Sequence, residues 1–397
     1  MTPEDVLAHG MLLPELDLRS FFYRGRTRWF FRAQKRPQGE VCPRCATLST
    51  VTYDHREVRL KDRPVGDKRV VLMVRKRRLF CKPCQKPFTE PLPGVRKGYR
   101  STERYRRGLL WAAENFQDLS RVRRAYGCSS GTLYKAVYEQ LELRRRQRQY
   151  PWPSIIGIDE HSFRRHPKFG HTEFVTMIVD GSNRKLFELV EGKQVALLKQ
   201  ALHEIPGREN VRHVMMDLAS PYRSFVRGFF PNARIVADKF HVLRLLGPAI
   251  NRRRKQIAGD RRTNPIGKLL LRNSQTLSWL ERSAVERFLK PHRELQLVYQ
   301  FKEALHRFYR IRGTNRAARA LIQMTDRLAE FQDVPELQSL RKTLMNWRKE
   351  ILAYFETRLT NAITEGFNNK AKVVKRMGYG YKSFRNYRLR LLNACSG

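Results

Sequence analysis

Ile155-Ile-Gly-Ile-Asp159 is an apolar run of strand length that stops at an acid, and the residues beyond it continue in the same grammar. Phe174-Val-Thr-Met-Ile-Val-Asp180 reads as a second strand, Gly181-Ser-Asn183 as a turn and Lys185-Leu-Phe-Glu-Leu-Val190 as a third strand. A helical segment, Gln194 to Glu204, precedes a fourth strand, Val211-Arg-His-Val-Met-Met-Asp217. A helix through Tyr222-Arg-Ser-Phe-Val-Arg227 leads to a fifth strand, Ala233-Arg-Ile-Val-Ala-Asp238, which runs into Phe240-His-Val-Leu-Arg-Leu-Leu246.

The order β-β-β-α-β-α-β-α is that of the ribonuclease H fold. From about 247 to 355 almost everything reads as basic amphipathic helix, with no strand-like run. This stretch is expected to be an all-α insertion that postpones the last helix of the core. That helix begins near Leu359 and contains Asn361-Ala-Ile-Thr-Glu-Gly-Phe-Asn-Asn-Lys370.

Three acids carry the chemistry of this arrangement. Asp159 and Asp217 each end a strongly apolar strand, where a carboxylate is costly without a partner. In this strand order the first and fourth strands are neighbours, so the two carboxylates are expected to share a cation site. Glu365 lies on a helix whose apolar face is Leu359, Ile363, Phe367 and Ala371, and it shares the opposite face with Asn361, Asn368 and Lys372. Clustered carboxylates repel one another and are held together by hard cations, typically two Mg²⁺ roughly 3.5–4 Å apart, with Mn²⁺ as the alternative ion. Such ions activate an attacking water or 3′-hydroxyl and stabilise the leaving oxygen of a phosphodiester. Asp180 is the weaker rival, because Asp-Gly-Ser-Asn is good turn chemistry. Asp238 and His241 flank the site and either orient water or DNA or, for Asp238, cap the next helix. Glu160 is expected on the opposite face of its strand.

The N-terminal part speaks of nucleic acid. Cys42-Pro-Arg-Cys45 and Cys81-Lys-Pro-Cys84 are two tight thiol knuckles separated by a hairpin-length segment, which suits one tetrahedral Zn²⁺. Two disulfides or unrelated reduced thiols are the lesser alternative. The connector Arg69-Val-Val-Leu-Met-Val-Arg75-Lys76-Arg77-Arg78 reads as a ribbon with a face for phosphates. Before it, Phe21 to Arg32 alternates aromatic and basic residues, as expected of a strand packed on the ribbon or of a base-stacking surface. An apolar start, Met11 to Leu16, precedes that stretch. A helical stretch begins at Ser101. Leu119 to Tyr138 then has helix-turn-helix rhythm: a short helix, a turn at Gly127, a cap at Ser129 or Ser130 and a second helix suited to the major groove. Ser130, Thr132, Tyr134 and Lys135 on that helix, Arg144 and Arg145 after it, and Lys372, Lys375 and Arg376 near the C-terminus are further candidate DNA contacts. Tyr150-Pro-Trp-Pro153 marks a boundary.

The expected organisation is multidomain α/β. Residues 1–95 form an N-terminal segment and zinc ribbon, and 96–150 a helix-turn-helix domain. The ribonuclease H-like core begins at 151–246, is interrupted by the all-α insertion at 247–355, and ends with the last helix and basic tail at 356–397. The chain has 397 residues, 80 Lys plus Arg against 37 Asp plus Glu, and a net charge of +43, a field that attracts polyanions. Hydrophobic residues make up 41%, enough for real cores and too many for a disordered basic tail. There is no apolar run of spanning length and no basic-then-apolar leader, so a soluble intracellular protein is expected. The remaining thiols, Cys128 and Cys395, read as packing residues.

With these residues in view the chain resembles the ISL-three family of bacterial insertion-sequence transposases, of the DDE type. The resemblance rests on the paired knuckles, on Gly157-Ile-Asp159-Glu160 and on Met216-Asp217-Leu-Ala-Ser-Pro-Tyr222. It continues through Phe230-Pro-Asn-Ala-Arg-Ile-Val-Ala-Asp238-Lys-Phe-His241, Asn361 to Lys370 and the closing Lys375-Arg-Met-Gly-Tyr-Gly-Tyr-Lys-Ser-Phe-Arg385. It implies Asp159, Asp217 and Glu365 as a catalytic triad, nicking at transposon ends and transfer of the 3′-hydroxyl to target DNA. It also implies terminal inverted repeats as the double-stranded DNA recognised by the N-terminal modules, and a homodimer in the DNA complex. The competing readings are a zinc-dependent DNA-binding regulator without catalysis and a ribonuclease H-like structure-specific nuclease that cuts without joining.

Overall fold

A computed structural model of the chain describes residues 16–115, 118–148, 150–165, 170–259 and 265–395, and the apolar start at 11–15 lies outside them. The chain divides into two units. One runs to Arg148 and includes Lys375–Gly380; the other comprises Gln149–Val374 and Tyr381–Gly397.

In the first unit, β1 (Leu16–Tyr23) and β2 (Arg28–Lys35) form a hairpin, where a single packed strand was expected. Gly25, at φ +63°, makes the reversal that the aromatic–basic alternation conceals. Facing rings hold the pair: Phe22 stacks on Phe30 at 5.1 Å and Phe21 meets Trp29 edge-on at 5.6 Å. β3 (Glu40–Val41) and β4 (Leu48–Ser49) frame the first knuckle. β5 (Thr52–Val65) and β6 (Lys68–Cys81) are the long antiparallel ribbon, and β7 (Lys86–Thr89) returns along β6 after the second knuckle. The sheet order is β1-β2-β6-β5, with β2 parallel to β6. Leu16, Phe31, Ala33, Leu60, Val70, Leu72 and Val74 fill its core. Three helices follow: α1 (Glu103–Asn115), α2 (Leu119–Tyr126) and α3 (Ser130–Gln147). Gly127 at φ +59° stops α2, and the Ser129 hydroxyl caps α3 by accepting from Thr132 N.

In the second unit, β8 (Ile155–Arg165), β9 (Thr172–Asp180), β10 (Lys185–Glu191), β11 (His213–Met216) and β12 (Arg234–Ala237) lie in the order β10-β9-β8-β11-β12. β8, β11 and β12 are parallel; β9 and β10 are antiparallel additions. Asp159 does not end its strand. β8 continues to Arg165 because residues 160–165 pair with β9, whereas the pairing with β11 stops at Ile158 opposite Met216. Asp159 and Asp217 are therefore the first residues past the last parallel pair.

Between the strands lie α4 (Val195–Leu202), α5 (Ser220–Phe229) and α6 (Lys239–Leu243). Beyond them run α7 (Gly247–Ala258), α8 (Ile266–Leu271), α9 (Trp279–Leu289), α10 (Arg293–Phe308), α11 (Thr314–Ala329), α12 (Pro335–Asn346) and α13 (Arg348–Thr357). These helices share one core with a sheet face, from Ile156, Ile158 and Val214 through Phe308 to Phe355. The helices are also tied to the sheet's flank electrostatically. Arg227 pairs with the buried Glu350 at 2.9 Å, and the Arg223 guanidinium lies 3.9 Å from the Trp347 ring centre.

The other face carries α14 (Ala362–Met377) and α15 (Phe384–Ala394), the latter within what reads in the sequence as a basic tail. Tyr387, Leu391 and Leu392 bury against Val175, Met177, Val179 and Leu186, so period-two alternation along β9 feeds both cores. α14 crosses β8 at Gly157. A Cβ there would lie 2.5 Å from Thr364 Oγ1 and 2.8 Å from Asn361 Oδ1, so the approach requires glycine. Gly157→Ala is therefore expected to destabilise the protein by about 1–3 kcal/mol through overpacking. Denaturant unfolding checks this, and unchanged stability would mean that α14 is not seated on β8 this closely.

Candidate active site

The acid end of the sheet is built by register. Parallel strands present their C-terminal ends as the natural binding edge of an open α/β sheet. β8 and β11 stop pairing just before Asp159 and Asp217, and β12 ends just before Asp238. Asp159 lies two residues beyond Gly157, on the face that α14 crosses.

Each carboxylate has identifiable partners. Asp159 Oδ1 accepts from Glu160 N at 2.7 Å, and Oδ2 accepts from Asn368 Nδ2 at 2.7 Å. Burial first, and then the charge of Asp217, push its carboxyl up to about 6. His241 Nδ1 lies 2.8 Å from Asp217 Oδ1 and 2.9 Å from Asp238 Oδ2. The carboxylates of Asp217 and then Asp238, close against the ring, raise its pKa to about 10; the hydrogen bond goes to Asp238 and Asp217 is an ion-pair neighbour. Asp238 Oδ1 accepts from Asn361 N at 3.3 Å, and its side chain makes no cap bond to the helix that follows. Asp238 thus ties His241 to the start of α14.

Ligand atoms of Asp217, Asp238 and His241 lie within 4.8 Å of one another. A metal-bound imidazole must be neutral. His241 carries its charge between two carboxylates, so this trio is an ion-paired cluster that a metal could occupy only by displacing the imidazole proton.

Glu365 stands in the first turn of α14, exposed, with no side-chain partner among the described residues. Asn361, four residues before it, donates Nδ2 to Ile158 O, and Asn368, three residues after, donates to Asp159. Both ends of its helical stripe therefore touch the acid end of the sheet, which turns Glu365 to the same side. The structure thus brings Asp159, Asp217, Asp238 and His241 together, while Glu365 stays exposed on α14 between Asn361 and Asn368, outside the group whose ligand atoms converge. Asp180 is elsewhere engaged: Oδ1 accepts from Ser182 N and Asn183 N, and Oδ2 from Asn183 Nδ2. Glu160 pairs with Lys193 at 3.2 Å.

The four knuckle thiols also converge. Their sulfurs lie within 4.8 Å of one another, with Cys45 and Cys81 at 3.5 Å and Cys42 and Cys84 at 4.0 Å. Tetrahedral Zn²⁺ with Zn–S of about 2.3 Å sets S···S near 3.8 Å, so the set fits. Each knuckle closes with a positive-φ residue just after its second cysteine, Ala46 at +59° and Gln85 at +50°.

The candidate DNA contacts differ in availability. Arg77 spends its guanidinium on the buried Glu90, Nε to Oε2 at 2.9 Å, and Arg78 pairs with Asp54 at 2.7 Å. Lys76 is half-buried, and its pKa is lowered by that burial, while Arg75 is exposed. Ser130, Thr132, Tyr134 and Lys135 are exposed along α3, although Lys135 also lies over the Tyr99 ring. Arg144 and Arg145 pair with Glu114 and Glu142. Lys372 and Arg376 are exposed on α14, and Lys375 is half-buried there. Cys128 and Cys395 are buried, as expected of packing thiols.

The pairings of Asn368 with Asp159 and of Asn361 with Ile158 and Asp238 were not read from the sequence, although both asparagines share the Glu365 face. No described helix is long and apolar enough to cross a membrane.

Comparison with known proteins agrees with this architecture. A family model described as a transposase, of the ISL-three DDE type, matches residues 156–391. A second, described as the zinc-finger of transposase IS204/IS1001/IS1096/IS1165, matches 38–84. The chain is 27% identical over 370 residues to the transposase for insertion sequence element IS1001 of Bordetella parapertussis, covering 90% of this chain and 89% of that protein. It is 23% identical over 262 residues, 57% of each chain, to the transposase for insertion sequence element IS1557 of Mycobacterium tuberculosis. The first match spans more than half of the chain, and with the zinc ribbon ahead of it the protein belongs to the ISL-three family of DDE transposases.

Proposed function

We propose that the protein binds the terminal inverted repeats of its insertion sequence, cuts at their ends and joins the freed 3′-hydroxyl to target DNA. Asp159, Asp217 and Glu365 are the carboxylates that would hold two divalent ions, Mg²⁺ by preference. The observation that carries the reading is the seating of Asn361 and Asn368, which flank Glu365 on one helix, on the acid end of the sheet. When bound, the ions supply activation of the attacking oxygen and stabilisation of the leaving one. The chain's own residues do the rest. Asn368 and Glu160 N orient Asp159, while charged His241, braced by Asp238, orients Asp217. Pairing with His241 also spares Asp217 some of the repulsion of its neighbouring acid.

The sheet order β10-β9-β8-β11-β12 supports a ribonuclease H-like core, with residues 247–355 as a helical insertion before its last helix. The sharp turn at Gly127 and the capped, exposed start of α3 support a helix-turn-helix that reads the repeat. One Zn²⁺ on Cys42, Cys45, Cys81 and Cys84 would lock the ribbon. Arg75, Ser130, Thr132, Tyr134, Lys135, Lys372 and Arg376 are the best-placed phosphate and base contacts. Two transposon ends call for a homodimer in the DNA complex.

The test is an end-containing duplex assayed for nicking and, after pre-cleavage, for strand transfer. Asp217→Asn and Glu365→Gln are expected to lower both by at least about 10³-fold while repeat binding persists. Retained cutting in either variant would overturn the triad, and cutting without joining by the wild type would make the protein a nuclease.

A pH dependence follows from Asp159. Its carboxyl is raised to about 6, so the cation-free fold loses stability as pH climbs through that value and the buried charge forms. A cation must displace the same proton below pH 6, at a cost of about tenfold in affinity per unit. Mn²⁺-induced stabilisation of the zinc-loaded protein is therefore expected to grow between pH 5 and 7, read by thermal unfolding. A flat profile would contradict this assignment.

A further inference from the structure

Asn368 does more than its hydrogen bond to Asp159 requires. Its Nδ2 donates to Asp159 Oδ2 at 2.7 Å, which fixes the orientation of the amide, because the opposite orientation would face oxygen with oxygen. Its Oδ1 is then buried and has no hydrogen-bond partner. A carboxylate offers about four acceptor positions. Glu160 N and Asn368 Nδ2 each take one on Asp159, one per oxygen, which leaves one lone-pair direction on each. The Asn368 amide oxygen and the Asp159 carboxylate to which that amide is bonded thus keep acceptor capacity that no hydrogen-bond donor fills among the described residues. Buried acceptors are almost always matched. The partner that suits adjacent amide and carboxylate oxygens is a hard cation, which takes Asn carbonyls as readily as carboxylates. Gly366 leaves open space beside this stripe, since a Cβ there would meet nothing within 4 Å.

We propose that Asn368 is a fourth member of the divalent-cation site, orienting Asp159 through Nδ2 and contributing Oδ1 to the cation shell. The proposal rests on the carboxylate-site reading above and extends it to a residue outside the acid triad. It also accounts for why an amide stands there. A fourth carboxylate would add repulsion to a cluster already strained by Asp159 and Asp217, whereas an amide supplies an oxygen and a donor without charge.

The test uses zinc-loaded, DNA-free protein. Bound Mn²⁺ is counted by the paramagnetic resonance of the free ion, and thermal unfolding is followed with and without Mn²⁺. Four proteins are compared: wild type, Asp217→Asn, Asn368→Ala and Asn368→Asp. Asp217→Asn is expected to abolish site binding and Asn368→Ala to weaken it about tenfold. Asn368→Asp restores an oxygen but sets two carboxylates face to face. It is expected to have a lower Tm than wild type without Mn²⁺ and a larger Tm rise when Mn²⁺ is added. A residue that merely packs would not produce that excess rise.

Wild-type Mn²⁺ affinity in Asn368→Ala, with binding lost in Asp217→Asn, would overturn the proposal and leave the carboxylate site standing. Wild-type binding in Asp217→Asn would instead overturn the carboxylate site and this proposal with it. Should Asn368→Ala fail to fold, Asn368→Asp decides: no excess Tm rise with Mn²⁺ refutes the role.

Discussion

The close approach of α14 to β8 at Gly157 is the contact on which the site depends. Thr364 and Asn361 occupy the space that any side chain at 157 would need. That seating sets the height of the helix over the sheet and its position along the strand. Asn361 then reaches Ile158 O and, through its backbone N–H, Asp238, while Asn368 reaches Asp159 about two turns later. Three polar anchors on a helix whose opposite face buries Phe367 and Ala371 leave it little freedom to rotate. Glu365 stands between these anchors on the same helix, so its place on α14 is set by packing rather than by bonds of its own.

Electrostatics sharpens this picture. In a chain of net charge +43, most acids are neutralised by a nearby guanidinium or ammonium, as Glu90 is by Arg77 and Glu350 by Arg227. Asp159 has no such cation beside it: burial and Asp217 raise its pKa, and an amide rather than an arginine holds it. Among the described residues the positive group paired with this cluster is His241, and it is shared between Asp217 and Asp238. A fold that surrounds its acids with dipoles and a single imidazolium has kept room for positive charge that arrives with a ligand. The chain's net charge of +43 makes polyanions its natural partners through counterion release.

Much of this was legible in the residues. Apolar runs reaching Asp159, Asp217 and Asp238 marked the sheet's parallel strands, because buried strands read as unbroken hydrophobic stretches. The two thiol knuckles carried their own spacing, and Gly127 with Ser129 announced a helix stop and a helix cap. What escaped was whatever depended on a distant partner. Residues 160–165 look polar enough to end a strand, and only pairing with β9 carries β8 on to Arg165. The hairpin at Gly25 hides in an alternation that suits one strand as well as two. Helix α15 looked like a basic tail because Arg385, Arg388 and Arg390 are interleaved with the apolar Tyr387, Leu389, Leu391 and Leu392 that it buries. Arg77 looked like a phosphate contact until Glu90, thirteen residues on, was found beneath it. Asn368 lay on the correct face, but no periodicity shows that an amide will meet Asp159.

The most direct measurement is anomalous diffraction from the protein crystallised with Mn²⁺ on a transposon-end duplex. Convergence of the three acids requires anomalous peaks within about 2.5 Å of carboxylate oxygens of Asp159, Asp217 and Glu365. A peak held by Asp217, Asp238 and His241 with Glu365 remote, or no peak at the acid end of the sheet, would contradict it.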